Sequence, residues 1–128
     1  VVHGLELSGP ADLRLALRWV GILHGRLPAA IALSGGVDGP HDVAKGLLVG
    51  ADVVMTTSSL LRHGPEHART LLQGLVAWLD EHEYESVDQL RGSMSHRSVP
   101  DPDAFERANY LQVLRRTSQR YAAASSRH

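Results

Sequence analysis

The residues best suited to chemistry lie in two short runs, Ser34-Gly35-Gly36 and Thr56-Thr57-Ser58-Ser59. Each follows an apolar stretch, residues 29–33 and 51–55. Consecutive glycines let a ligand oxygen approach the backbone with no Cβ in the way, and their N–H groups can converge on an anion. Thr57 and Ser58 place hydroxyls and N–H groups where a strand passes into a helix, and the free N–H donors there favour phosphate. Taken singly, Gly-Gly after a strand is a tight turn, and Thr or Ser before a helix is an N-cap. Two such loops, separated by one crossover and followed by a single helical turn, form a more specific pattern, that of a phosphate site.

The elements around these loops follow from periodicity. A helix begins at about Ala11 and stops at Gly25. Leu13, Leu17, Val20 and either Leu23 or His24 form its buried face, with Arg14 and Arg18 opposite. Ser8-Gly9-Pro10 closes an extended piece over residues 5–7, and Ser8 reads as part of the turn into this helix. Residues 29–33 are uniformly apolar, which suits a strand buried on both faces, and residues 51–55 read as a second buried strand. Between them Gly39-Pro40 opens a helix: proline suits the first turn and Asp42 complements the dipole. Val43, Ala44, Leu47 and Leu48 form its stripe, and Gly50 ends it. Residues 58–63 suit one helical turn. Gly64-Pro65-Glu66 opens a longer helix to about His82, with Ala68, Leu71, Leu72, Leu75 and Leu79 inward. Ser86-Val87-Asp88-Gln89 matches a capping box. Residues 98–103 read as a loop, 105–116 as a last helix, and the tail from Thr117 as frayed.

Strand, helix, strand, helix implies an α/β fold with a parallel pair and a right-handed crossover. A complete (β/α)8 barrel needs roughly 250 residues; this chain has 128. The expectation is the last two β/α units of such a barrel plus C-terminal helices, over residues 1–116, and a tail over 117–128. In these barrels a phosphate site recurs at the loops after strands seven and eight and a short extra helix.

Composition narrows the function. Net charge is −1, from 13 basic and 14 acidic side chains, which gives no electrostatic footprint for nucleic acid or an anionic membrane. No apolar run reaches the ~20 residues that span a bilayer. The absence of cysteine excludes disulfides, thiolate metal sites and a cysteine nucleophile within this chain, and fits a cytoplasmic setting. The chain begins Val-Val-His, as a processed or truncated product would.

Three stretches, "SGGV", "GADVVMTTSSLLRHGPEH" and "EHEYESVDQLRGSMS", resemble the C-terminal part of dihydroorotate dehydrogenase-like proteins, FMN-dependent TIM-barrel oxidoreductases. The run from Tyr84 to Gly92 is the most distinctive. The resemblance covers the chain from about Leu5 to Leu114, and "DPDAFERANYLQVL" is similar to the less characterised branch of the family. It implies an FMN phosphate held by Ser34, Gly35 and Gly36 on one loop and by Thr57 and Ser58 on the other. The family commonly has glycine where this chain has Thr57, so a Cβ and a hydroxyl are added beside the phosphate. The family's catalytic base, its flavin-side lysine and its substrate-holding asparagines belong to upstream motifs that do not occur here. The resemblance therefore implies no catalytic residue in this chain. It implies the phosphate end of a flavin site from an oxidoreductase acting on a CH–CH bond of a dihydropyrimidine-like substrate.

Two other readings stay open. The chain could be a non-catalytic partial barrel that binds phosphate weakly, or that joins the remainder of the barrel or a second copy to cover its sheet. It could also be the remnant of another phosphate-binding barrel, such as an isomerase of phosphorylated sugars. The eight histidines are scattered and match no metal-binding spacing, so no metal site is expected. His63 and His67 straddle the Gly64-Pro65 break and need not share a face. His3, His24, His82 and His96 suit solvated or capping roles. Trp19 and Trp78 suit core or inter-helix packing. Arg62 lies near the proposed phosphate or on the surface. Arg91, after the capping box, is expected to anchor the terminal helix to the barrel.

Overall fold

The computed structural model describes residue 4 and residues 6–95, which lie within a compact unit, Val1–Ser98. The loop, last helix and tail expected over residues 98–128 fall outside the described residues. The elements run α1 (Pro10–Leu23), β1 (Ala32–Leu33), α2 (Pro40–Leu48), β2 (Val53–Val54), α3 (Ser58–His63), α4 (His67–Glu81) and α5 (Val87–Leu90). β1 and β2 pair in parallel, Ala32 opposite Val53 and Leu33 opposite Val54. The described residues thus form a β–α–β crossover extended by helices, an α/β arrangement.

Two helices start with the same four-residue device. Gly9-Pro10-Ala11-Asp12 and Gly39-Pro40-His41-Asp42 each put an extended glycine at the N-cap and proline at the first helical position. A glycine cannot cap with its own side chain, so the aspartate three residues on does the work. Asp12 Oδ2 accepts from the Gly9 N–H at 2.8 Å. Asp42 Oδ2 accepts from the N–H groups of Asp38 and Gly39, both at 3.2 Å. Each carboxylate also faces the positive end of its helix dipole. At the other end of α2, Ala51 N–H bonds to Gly46 O and Gly50 N–H to Leu47 O. With Gly50 at φ +111°, this is the Schellman stop expected of that glycine. Half of the expected capping box forms: Ser86 Oγ accepts from Gln89 N–H at 3.1 Å, but Gln89 Oε1 accepts from Glu85 N–H at 2.8 Å, one residue before the N-cap.

One core cluster joins α1 to the sheet through Leu13, Val20, Leu33, Val37 and Ala51. A second joins α2, α4 and α5 through Ala44, Leu47, Leu75 and Leu90. Val43 and Val54 pack against both. Glycines set the helix spacing. Any Cβ on Gly46 would lie 2.8 Å from Val54 Cγ2, and one on Gly74 would overlap the Pro40 ring. α2 is therefore held close to the sheet on one side and to α4 on the other.

The strands differ from expectation in one respect. Leu33 is buried and Val54 half-buried, but Ala32 is exposed and Val53 and Met55 are each 52% exposed. Because side chains alternate across a strand, α1 and α2 cover the Leu33–Val54 face while the Ala32–Val53 face is bare. A uniformly apolar run reads the same whether its second face is covered within the chain or not. The ladder is also shorter than the apolar runs. Beyond it, Ile31 N–H bonds to Asp52 Oδ2 at 2.8 Å rather than to backbone. In α4, Leu71 and Leu75 are buried as expected, while Ala68 is exposed and Leu72 is 63% exposed; the inward stripe is narrower than the apolar content of the helix. Trp19, expected inside, is 54% exposed. Trp78 does pack against the second cluster, stacked on His82 with ring centroids 3.9 Å apart.

Candidate functional site

Both expected phosphate loops leave the carboxyl ends of the parallel strands, and hydrogen bonds join them to each other and to the start of α1. Gly35 and Gly36 both take positive φ, +102° and +71°, which explains the Gly-Gly pair. The two glycines do different work. A Cβ on Gly35 would meet only Asp12 Cβ, at 3.7 Å. On Gly36 it would overlap the Gly9 carbonyl and come within 3.0 Å of Leu13 Cβ. Gly36 is thus required for the loop to lie against the entrance of α1, and Gly35 leaves open space.

The hydroxyls of the second loop are divided in the same way. Thr56 Oγ1 donates to Val37 O at 2.8 Å, which ties the two loops together. That uses the single proton of Thr56, so in its 2.8 Å contact with Ser59 Oγ the serine donates. Ser59 is fully buried and Ser58 is 6% exposed. Thr57 and Ser34 are exposed, and the Thr57 side chain makes no capping bond to α3. Of the five residues expected at the site, Ser34 and Thr57 are exposed and Gly35 is half-buried. Gly36 and Ser58 are turned into the supporting network.

That network contains residues whose role the sequence did not disclose. Ser8 accepts the Gly36 N–H at 2.9 Å and donates to Ser58 Oγ at 3.1 Å. Arg62, on α3, bonds the Ser8 carbonyl through Nη2 at 2.8 Å and Asp38 Oδ1 through Nη1 at 3.3 Å. It is a staple between loops, not a free surface cation. Asp38 also receives His63, at 3.4 Å from its Oδ1, and its carbonyl contacts His67 Nε2 at 2.8 Å. The two histidine rings lie 4.6 Å apart, so they share a face after all, brought together by a common partner across the Gly64-Pro65 break. Among the described residues no group of three or more His, Cys, Asp or Glu is arranged to hold a metal. The overlooked signal lies in the repeated Gly-Pro-x-Asp starts. Ser8 and Asp38 occupy the same position, immediately before each start, and Arg62 binds both.

Asp42 anchors the outgoing side of the glycine loop. Partial burial pushes its carboxyl up, but the N–H groups of Asp38 and Gly39, with the Lys45 ammonium 3.2 Å away, hold it below its ordinary value.

The opposite end of the strands is built differently. His24 Nδ1 contacts Gly50 O at 3.0 Å, and a Cβ on either Gly50 or Gly92 would overlap the His24 ring. Arg91 pairs with Asp52 at 3.5 Å and with Asp88 at 3.1 Å. Gly92 and Met94 N–H bond to Leu47 O and Leu48 O. Arg91 ties α5 to the start of β2, while the terminal helix that it is expected to anchor lies outside the described residues, and His24 is a packed structural histidine.

Comparison with known proteins gives this arrangement a setting. Over 86 residues, 67% of this chain, it is 24% identical to the chloroplastic dihydropyrimidine dehydrogenase (NADP+) of Arabidopsis thaliana. Over 89 residues, 69% of the chain, it is 32% identical to the catalytic subunit of dihydroorotate dehydrogenase B (NAD+) of Pelobacter propionicus. The fold matches the crystal structure of DHODH from Eimeria tenella in complex with ferulenol. That match has a TM-score of 0.62 and 25% identity, and covers 66% of this chain and 23% of that one. The chain is dihydroorotate dehydrogenase-like. No family model matches it. This dihydroorotate dehydrogenase-like chain spans 20% and 29% of the lengths of the two curated relatives. Among its described residues no helix is long and apolar enough to cross a membrane.

Proposed function

We propose that the chain is the FMN-phosphate-binding segment of a dihydroorotate dehydrogenase-like oxidoreductase, formed from the last two β/α units of a (β/α)8 barrel. The observation that carries the reading is the joining of two strand-end loops, Ser34–Gly36 and Thr57–Ser58, by a hydrogen-bonded support. Their outward members suit a phosphate: Gly35 leaves space for a close backbone approach, and the hydroxyls of Ser34 and Thr57 are exposed. The residues of this chain that would hold the group are Ser34, Gly35, Thr57 and Ser58, with Gly36 shaping the loop. A bound flavin supplies hydride-accepting chemistry. This chain's part is to fix the phosphate end and so to orient the rest. The substrate class, a dihydropyrimidine-like CH–CH compound, comes with the relatives' dehydrogenase character and belongs to the whole barrel.

Absorbance and fluorescence quenching on titration with FMN test this reading. Wild-type chain is expected to bind, and Gly35→Asp, which adds bulk and negative charge at a positive-φ position, to bind at least ~10-fold more weakly. No binding by the wild type, or an unchanged affinity in Gly35→Asp, contradicts it.

The bare sheet face favours a second, compatible reading: the chain joins the remainder of a barrel, or a second copy, across Ala32, Val53 and Met55. Exposed apolar strands in a two-stranded sheet invite such cover. Size-exclusion chromatography is expected to show association that Val53→Lys abolishes; a monomer at all concentrations argues against it.

A further inference from the structure

Resting on the flavin-phosphate reading, we propose that Ser8 is the positioning residue of the site: it sets the glycine loop and determines which way the Ser58 hydroxyl can donate. A serine hydroxyl has one proton and two acceptor lone pairs. At Ser8 one lone pair takes the Gly36 N–H at 2.9 Å, and the proton goes to Ser58 Oγ at 3.1 Å. The Ser8 carbonyl is held in turn by Arg62 at 2.8 Å. One residue therefore ties the entrance of α1, the loop after β1 and the first residue of α3.

Two consequences follow. The Gly36 N–H is engaged by the protein, so Gly36 contributes shape and not a ligand contact. Ser58, accepting from Ser8 while nearly fully buried, keeps its own proton for an acceptor oxygen. A hydroxyl whose acceptor side is already occupied is a directed donor and not a free rotor, and preorganised donors cost less to engage than mobile ones. The anion contacts then reduce to the Gly35 backbone and the hydroxyls of Ser34, Thr57 and Ser58. Ser8 acts through Ser58 and through Gly36, the neighbour of Gly35, without touching the ligand.

The test uses the full chain, wild type beside Ser8→Ala and Ser8→Thr, with two readouts: exchange of the Gly36 amide by NMR, and affinity for FMN against riboflavin, which lacks the phosphate. Ser8→Ala is expected to speed Gly36 exchange and to weaken FMN by about tenfold, while riboflavin changes by less than about twofold. Ser8→Thr, which keeps the hydroxyl, should restore both. Ser58→Ala should leave Gly36 protected yet weaken FMN, and it carries the test if Ser8→Ala does not fold. Unchanged Gly36 exchange in Ser8→Ala, or equal losses of FMN and riboflavin, overturns the proposal. If wild type binds no FMN but Ser8→Ala still frees the Gly36 amide, the flavin reading fails and the control of the loop by Ser8 stands.

Discussion

The two ends of the short parallel sheet use the same materials for different ends. Beyond the carboxyl ends of β1 and β2 are positive-φ glycines, a cross-loop ion pair and buried hydroxyls. Before their amino ends are positive-φ glycines, a cross-element ion pair and a half-buried histidine ring. At the amino end the His24 ring fills the space against Gly50 and Gly92, and Arg91 meets Asp52. At the carboxyl end the network stops one layer short of the surface. Ser8 holds Gly36 and Ser58, and Thr56 holds Val37 and Ser59, while Ser34 and Thr57 are exposed and Gly35 keeps room beside it. A supported layer under an outward one is what a binding site needs, because the outward groups are held in place without being used up.

The largest test of this contrast is Gly36→Ala. Its methyl would overlap the backbone carbonyl of Gly9, which cannot move aside like a side-chain tip, at φ +71°. A loss of about 3 kcal/mol or more is expected in urea denaturation, against about 1 kcal/mol for the unobstructed Gly35→Ala. Equal losses would erase the distinction between supporting and outward glycine. Next comes Gly50→Ala, at φ +111° against the His24 ring. It should cost about 2 kcal/mol but leave FMN affinity within about twofold, since that end has no ligand to hold. A comparable loss of FMN binding at unchanged fold would break the comparison.

Asp42→Asn should cost about 1 kcal/mol by weakening the start of α2. Its pH dependence has a definite sign. The folded Asp42 carboxyl lies below its ordinary 3.8, so its contribution is complete above that value and is lost as pH falls through the depressed folded value. Acid denaturation curves of wild type and Asp42→Asn should therefore converge below pH 3.8; a gap that persists or widens there would contradict the assignment. The smallest effect is expected of Thr57→Gly. It restores the family's common residue but removes an exposed hydroxyl, and FMN affinity should fall about threefold by fluorescence titration. A rise would show that the Cβ obstructs more than the hydroxyl helps.

Much of the fold could be read in the sequence because local chemistry specified it. The Gly39-Pro40 start, the Gly50 stop and the Ser86 cap are set within a few residues and are found where expected. The outward and inward members of the site were not separable, because that depends on Ser8 and Arg62, far off in sequence, and on how closely Gly36 approaches Gly9. The bare face of the strands was illegible for a related reason: Val53 and Met55 are as apolar as a covered strand would be, and nothing in residues 51–55 says which of their faces α2 will take. Trp19 likewise sits in a helix whose apolar content exceeds what the described residues bury.

NMR titration of the labelled full chain with FMN distinguishes carboxyl-end loops that hold a flavin phosphate from an amino-end cluster that is structural. The largest amide shifts are expected at Ser34, Gly35, Thr57 and Ser58, with His24, Gly50 and Gly92 unmoved. Shifts centred on His24, Gly50 and Gly92, or none at saturating FMN, would contradict that assignment.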